Sequence, residues 1–258
     1  FYAYGVNEGF AILICTMSLI LLLPILSKEL NYKAGHEAQL YKNRLTFNEL
    51  VLGIRQSMFN PSAFAAIIFM LFANIGYGIF DVIYNEFYIK ELGWNGEEIG
   101  HMRPYGMWLG GLIGLSAGLM TLYFRKRSLL LFFVIGQAVV FLTASTLSYE
   151  TSILLTSAVL IGVDAVDAGW SVLIFSILMA LCITQTSATN FGIFMGFGNI
   201  SMLIGNNIAP AILGSGDFTF AFIFAALTLI PCLISGYYLT RETSVSYTHL
   251  TLPTISDV

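Results

Sequence analysis

Charge is what this chain lacks most. Of its 258 residues, only 10% are Asp, Glu, Lys or Arg, against about 25% in soluble proteins. That shortage excludes a disordered chain, a basic nucleic-acid-binding protein and an ordinary soluble enzyme. Cysteine is scarce as well. Cys15, Cys182 and Cys232 stand far apart in apolar runs, which reads as three packed thiols and neither a disulfide set nor a metal cluster. His36 and His101 fall in segments that read as loops, and His249 lies near the C-terminal end. The chain contains no HExxH, no GxSxG, no phosphate loop and no CxxC. No enzyme chemistry, metal or cofactor is expected from it.

What it has is apolar length. Hydrophobic residues make up 57% of the chain, and a bilayer core of about 30 Å needs about 20 of them per helix. Seven spans are predicted, at residues 9–26, 62–88, 104–124, 128–149, 151–183, 188–213 and 218–240. The fold class expected is an all-α membrane protein. The fifth span is longer than an upright helix needs, and Gly162 and Gly169 are places where it would break or tilt. Residues 27–61 form a polar connection. Within it, Leu45, Leu50, Leu52, Ile54 and Met58 alternate with polar groups, as in a short amphipathic helix lying on a membrane surface.

Basic residues set the orientation. Lys28, Lys33, Lys42, Arg44, Arg55, Arg125, Lys126, Arg127 and Arg241 fall on one side of seven spans, and only Lys90 and Arg103 fall on the other. The positive-inside rule makes the larger group cytoplasmic, together with the C-terminus. Splitting the fifth span would move Arg241 outside, so one long helix is favoured there.

Both ends read as non-native. The chain opens on Phe1, and 245–254 (VSYTHLTLPT) resembles the translation of a sequencing-library adapter. The expected organisation is a fragment. Residues 1–26 form the last helix of a preceding bundle, 27–61 a cytoplasmic inter-bundle loop, 62–243 a six-helix bundle, and 244–258 an adapter-derived tail.

Polar groups inside the spans are the candidate functional residues, because a charge at mid-membrane costs about 2.5–3.5 kcal/mol on insertion scales. In the second span Asn74, Gly78, Asp81 and Asn85 follow helical spacing and form one stripe. Asp81 there faces either a watery cavity or the headgroups, and Glu86 reads as interfacial. In the fifth span Asp164 and Asp167 stand at i, i+3 and share a face with Ser157 and Ser171. Two ionised acids so close repel one another. A carboxyl that takes up and releases a proton is what a proton-coupled carrier needs, although a structural pair bonded to neighbouring helices fits the same pattern. Asp81, Asp164 and Asp167 are therefore the proton-coupling candidates.

In the sixth span Gly192, Gly196, Asn199, Asn206 and Pro210 occupy one narrow face, with Asn190 and Asn207 at its edges. Its glycines would permit close helix approach, and its amides suit a polar solute or a neighbouring helix. Gly110, Gly114 and Gly118 in the third span read as a packing stripe. Arg103, opening that span beside Pro104, either meets a carboxylate of substrate or of Asp81, or anchors the interface. Candidate substrate contacts are Asn74, Asn85, Arg103, Asn190, Asn199 and Asn206. Trp94 and Trp170 read as interface or packing aromatics.

Residues 178–191 (LMALCITQTSATNF) resemble the segment between two late helices of AmpG-type muropeptide permeases, members of the major facilitator superfamily. Leu178, Met179, Leu181 and Cys182 match the first part of that pattern. Ser187, Ala188, Thr189 and Phe191 match the second, with Asn190 in place of Gln. Residues 87–100 (FYIKELGWNGEEIG) resemble an earlier loop of the family, and Gly118-Leu119-Met120 with the Arg that follows resembles its Gly-x-Leu-Met…Arg turn. The likeness covers roughly residues 62–238. This chain departs from the family at Met202, where an Arg is common, at Asp81, about one turn after the family's acid, and at Val163-Asp164, where the family carries Glu-Asn.

The resemblance implies a secondary transporter in the bacterial inner membrane. It would import peptidoglycan fragments, anhydromuropeptides, with protons, through a cavity shared with an N-terminal half. The expected partners are the lipid bilayer, protons, a sugar-peptide solute and that other half, with no nucleic acid. An acetyl-CoA-type carrier and a non-transporting membrane sensor are the alternative readings.

Overall fold

The computed structural model describes residues 47–182, 186–214 and 217–246. The expected first span, Cys15, His36, His249, most of the polar connection and residues 247–258 lie outside the described residues. Two compact units divide the chain after Leu50, and the helical bundle is the second.

The described residues are helical. In chain order the helices are α1 (Phe47–Met58), α2 (Pro61–Ala73), α3 (Ile75–Lys90), α4 (Gly96–Tyr123), α5 (Lys126–Ala144), α6 (Ile153–Leu181), α7 (Ser187–Leu213), α8 (Phe218–Leu227) and α9 (Leu229–Ser246). Five stretches are long and apolar enough to cross a membrane: Pro61–Lys90, Gly96–Tyr123, Lys126–Ala144, Ile153–Leu181 and Phe218–Arg241. That suits a multi-pass membrane protein. Five is fewer than the seven spans expected. One of the missing two is 9–26, outside the described residues. The other is α7, which has the length at 27 residues but not the apolar content, because Asn190, Asn199, Asn206 and Asn207 dilute it.

Local chemistry explains the boundaries. Asn60 caps α2, its Oδ1 accepting from Ala63 N at 2.7 Å, with Pro61 in the first turn where no N–H is needed. A capping box opens α4: Asn95 Oδ1 accepts from Glu98 N, and Glu98 Oε2 accepts from Asn95 N, both at 2.8 Å. That box starts α4 eight residues before the predicted start at Pro104. His101 and Arg103 thus sit in helix rather than in a loop or at a helix start, and Pro104 lies inside the helix.

The second span is broken at Asn74. Its N–H leaves the helical ladder and donates to Ser201 Oγ of α7 at 3.0 Å. Trp170 Nε1 of α6 donates to Ala73 O at 3.2 Å. Groups inserted into the ladder are a standard cause of a kink. The last span breaks at Thr228, three residues before Pro231, whose missing N–H cannot serve the preceding turn. Gly162 and Gly169 do not break α6, which runs unbroken for 29 residues.

Packing combines interlocked side chains with close backbone approach at glycines, as is common for helices in lipid. Phe69, Met70, Phe80, Ile83, Trp170 and Phe222 are almost fully buried, and Trp170 meets Phe69 edge-on at 5.6 Å. α4 lies along α6, and α3 along α7. Gly110 comes against Ala168 and the Asp164 carbonyl, and Gly114 and Gly118 face Val172. The third-span glycine stripe therefore packs on α6. On α7 the packing glycines are Gly198, against Met70, and Gly205, against Ile75 and Gly78. Gly192 and Gly196, expected to mediate close approach, have open space around them. Cys182 and Cys232 are buried free thiols.

The helix ends collect in two groups. At one, Lys126 Nζ donates to Ser176 O at 2.7 Å, and Arg127 stacks over Tyr237 at 3.5 Å. The α4–α5 turn therefore meets the late turns of α6 and the middle of α9. At the other, Tyr88 OH donates to Thr156 O at 2.8 Å, and Trp94 packs edge-on to Tyr88 at 5.1 Å.

Candidate functional site

An ion cluster lies inside the helices, between α3, α4 and α6. Arg103 Nη2 of α4 donates to Asp81 Oδ1 of α3 at 2.6 Å. Its Nε lies 3.5 Å from Asp164 Oδ2 of α6. Tyr77 OH of α3 donates to Asp164 Oδ1 at 3.1 Å, and the guanidinium stacks 4.0 Å over the Tyr84 ring. Arg103 is thus held by two carboxylates and an aromatic face, from two other helices. At 1.5 Å per residue, Arg103 stands about 10 Å along α4 and Asp164 about 16 Å along α6.

Burial grades through the cluster. The Asp81 side chain is 34% exposed, Arg103 17% and Asp164 7%. Such charges are costly to remove from water and are tolerated when each finds a partner. Gly106 makes the approach possible, since a Cβ there would stand 3.1 Å from Asp164 Cβ and Oδ2.

Beside the cluster is an open cleft of about 660 Å³, lined by Tyr77, Met107, Gly110, Gly114, Asp164 and Asp167 among others. Asp167 stands one turn beyond Asp164. The Gln137 amide of α5 is a polar neighbour of Asp167.

The three acids proposed from sequence therefore meet in one region, with Arg103 among them. The amides do not join them. Asn74 donates from Nδ2 to Gly198 O at 3.4 Å. Asn206, with its amide turned to donate, reaches Gly78 O at 2.9 Å and Met202 O at 3.2 Å. Both serve the α3–α7 contact. Asn190 is buried and donates to Thr186 Oγ1 at 3.1 Å. Asn85 and Asn199 are exposed. None of these five lines the cleft. Glu86 pairs with Lys90 at the exposed end of α3.

Sequence reasoning missed Tyr77, Tyr84 and Gln137. A signal existed for the first two: they stand at −4 and +3 from Asp81, on the same helical face. Gln137 was visible only as one amide in a long apolar run.

No protein-family model matches this chain, and no curated protein matches it either.

Proposed function

We propose that this chain is part of a proton-coupled secondary transporter of major facilitator architecture, similar in its motifs to AmpG-type permeases. It would import anhydromuropeptides across the bacterial inner membrane by alternating access, with the Arg125–Arg127 turn cytoplasmic. The observation that carries this reading is the ion cluster. Three carboxylates and one guanidinium, from three stretches long and apolar enough to cross a membrane, meet beside an open cleft. Ionisable groups at membrane depth are expensive, and a water-filled transport path is a common reason for them.

The chemistry follows from charge. Three acids against one guanidinium leave excess negative charge when all are ionised. Closing the cleft over that charge removes its water and raises its energy. A proton taken from the more acidic side neutralises one carboxylate, lowers the cost of closure, and shifts the population toward the state that opens on the other side. A solute bound in the cleft would move with that shift. In this reading the α7 amides serve packing, and Arg103 is the internal counter-ion.

The test is uptake of labelled anhydromuropeptide by cells expressing the full-length gene, with and without a protonophore. Accumulation that the protonophore collapses supports the reading. Binding without flux would identify a sensor instead, and accumulation indifferent to the protonophore would remove the proton from the mechanism.

A further inference from the structure

The acids of the cluster are not equivalent. Asp81 holds Arg103 at 2.6 Å. Asp164 takes the same guanidinium at 3.5 Å and the Tyr77 hydroxyl at 3.1 Å. Asp167 has no cation partner among the described residues. The groups near enough to act on its charge are Asp164 on its own helix, Tyr77 and Asp81 on α3, and the Gln137 amide on α5. It also lines the open cleft.

Gln137 is 3% exposed, and its Oε1 has no hydrogen-bond donor; within the ion cluster Asp164 Oδ2 and Arg103 Nε are likewise unsatisfied. A buried acceptor without a donor costs about 1–3 kcal/mol. A protonated Asp167 supplies the missing donor. An amide is also suited to an acid that changes state: its NH2 donates to a carboxylate, and its carbonyl accepts from a carboxyl O–H. Exchange between the two needs only a turn of the amide. A Lys or Arg in its place would hold the acid ionised, and an apolar side chain would hold it neutral.

We infer that Asp167 is the proton-binding residue of the carrier, positioned by Gln137, and that Asp81, Arg103 and Asp164 form a fixed counter-ion bridge. This rests on the transport reading above. The proton comes from water in the cleft and forms an O–H bond on the Asp167 carboxylate. It departs to water on the other side, and no other bond changes.

The experiment uses the full-length protein in proteoliposomes with an imposed pH gradient and labelled anhydro-disaccharide-tripeptide. The readout is the final ratio of solute inside to outside, not the rate. A gradient of about one pH unit supports about tenfold accumulation per proton. Asp167→Asn is expected to bring the ratio to one, so that solute equilibrates without being concentrated. Gln137→Lys is expected to do the same, and Gln137→Asn to retain part of the accumulation.

Wild-type accumulation by Asp167→Asn or Gln137→Lys would overturn the assignment. So would an Asp167→Asn protein that is folded and carries nothing, since that marks a structural or solute-binding role. If the wild-type protein neither accumulates nor equilibrates solute, the transport reading falls, and this assignment with it.

Discussion

Among the described residues Arg103 is the single cation between two helices' acids, so removing it should cost far more than a surface ion pair. Arg103→Gln leaves Asp81 and Asp164 without their counter-charge. Breaking a buried pair from one side costs about 3–5 kcal/mol. The Asp81 side chain is 34% exposed, so water recovers part of that loss, and about 2–3 kcal/mol is expected after screening. Asp81→Asn should cost about 1 kcal/mol, because Arg103 keeps Asp164 as a buried partner. The double variant should then lose less than the two singles combined, with a coupling of at least about 1 kcal/mol. The assay is denaturant unfolding of the full-length protein in lipid micelles, with all four members of the cycle at equal slope. An Arg103→Gln protein within about 0.5 kcal/mol of wild type, the range of an ordinary surface change, would refute the reasoning. So would strictly additive losses.

Two further outcomes test the packing. A Cβ at Gly205 would run into the Ile75 carbonyl, whereas one at Gly111 meets nothing within 4 Å. Gly205→Ala should lose about 1–3 kcal/mol by overpacking, while Gly111→Ala should gain up to about 1 kcal/mol from helix propensity; thermal unfolding of both variants reads the difference in sign. Ser201→Ala removes the acceptor of the Asn74 N–H, and leaving that donor unpaired should cost about 1–3 kcal/mol. Faster amide exchange around Asn74 should accompany the loss, and unchanged exchange there would count against the kink's origin.

The helical course was largely legible, because apolar length alone sets it. The expected 151–183 became Ile153–Leu181, and 218–240 became the rod Phe218–Arg241 with its break at Thr228. The errors came where polar residues continue a helix past the apolar core. Residues 96–103 (GEEIGHMR) read as a loop, yet the Asn95–Glu98 capping box makes them the first two turns of α4. The Asn74 break was invisible, since hydropathy runs unbroken through it and the cause is a hydroxyl 127 positions away. At the site, acids were conspicuous because charge is rare in an apolar run. Their partners Tyr77 and Gln137 were not, since a lone tyrosine or glutamine reads as packing. The asparagines misled for a physical reason: in lipid an amide binds helix backbone as readily as solute, and Asn74 and Asn206 do so here.

The most direct measurement is of protons moving with solute. De-energised cells carrying the full-length protein are held in lightly buffered medium, anhydromuropeptide is added, and external pH is followed. The expected result is a prompt alkalinisation that a protonophore abolishes and that Asp167→Asn lacks. Solute entry with no change in external pH would contradict proton coupling at this cluster.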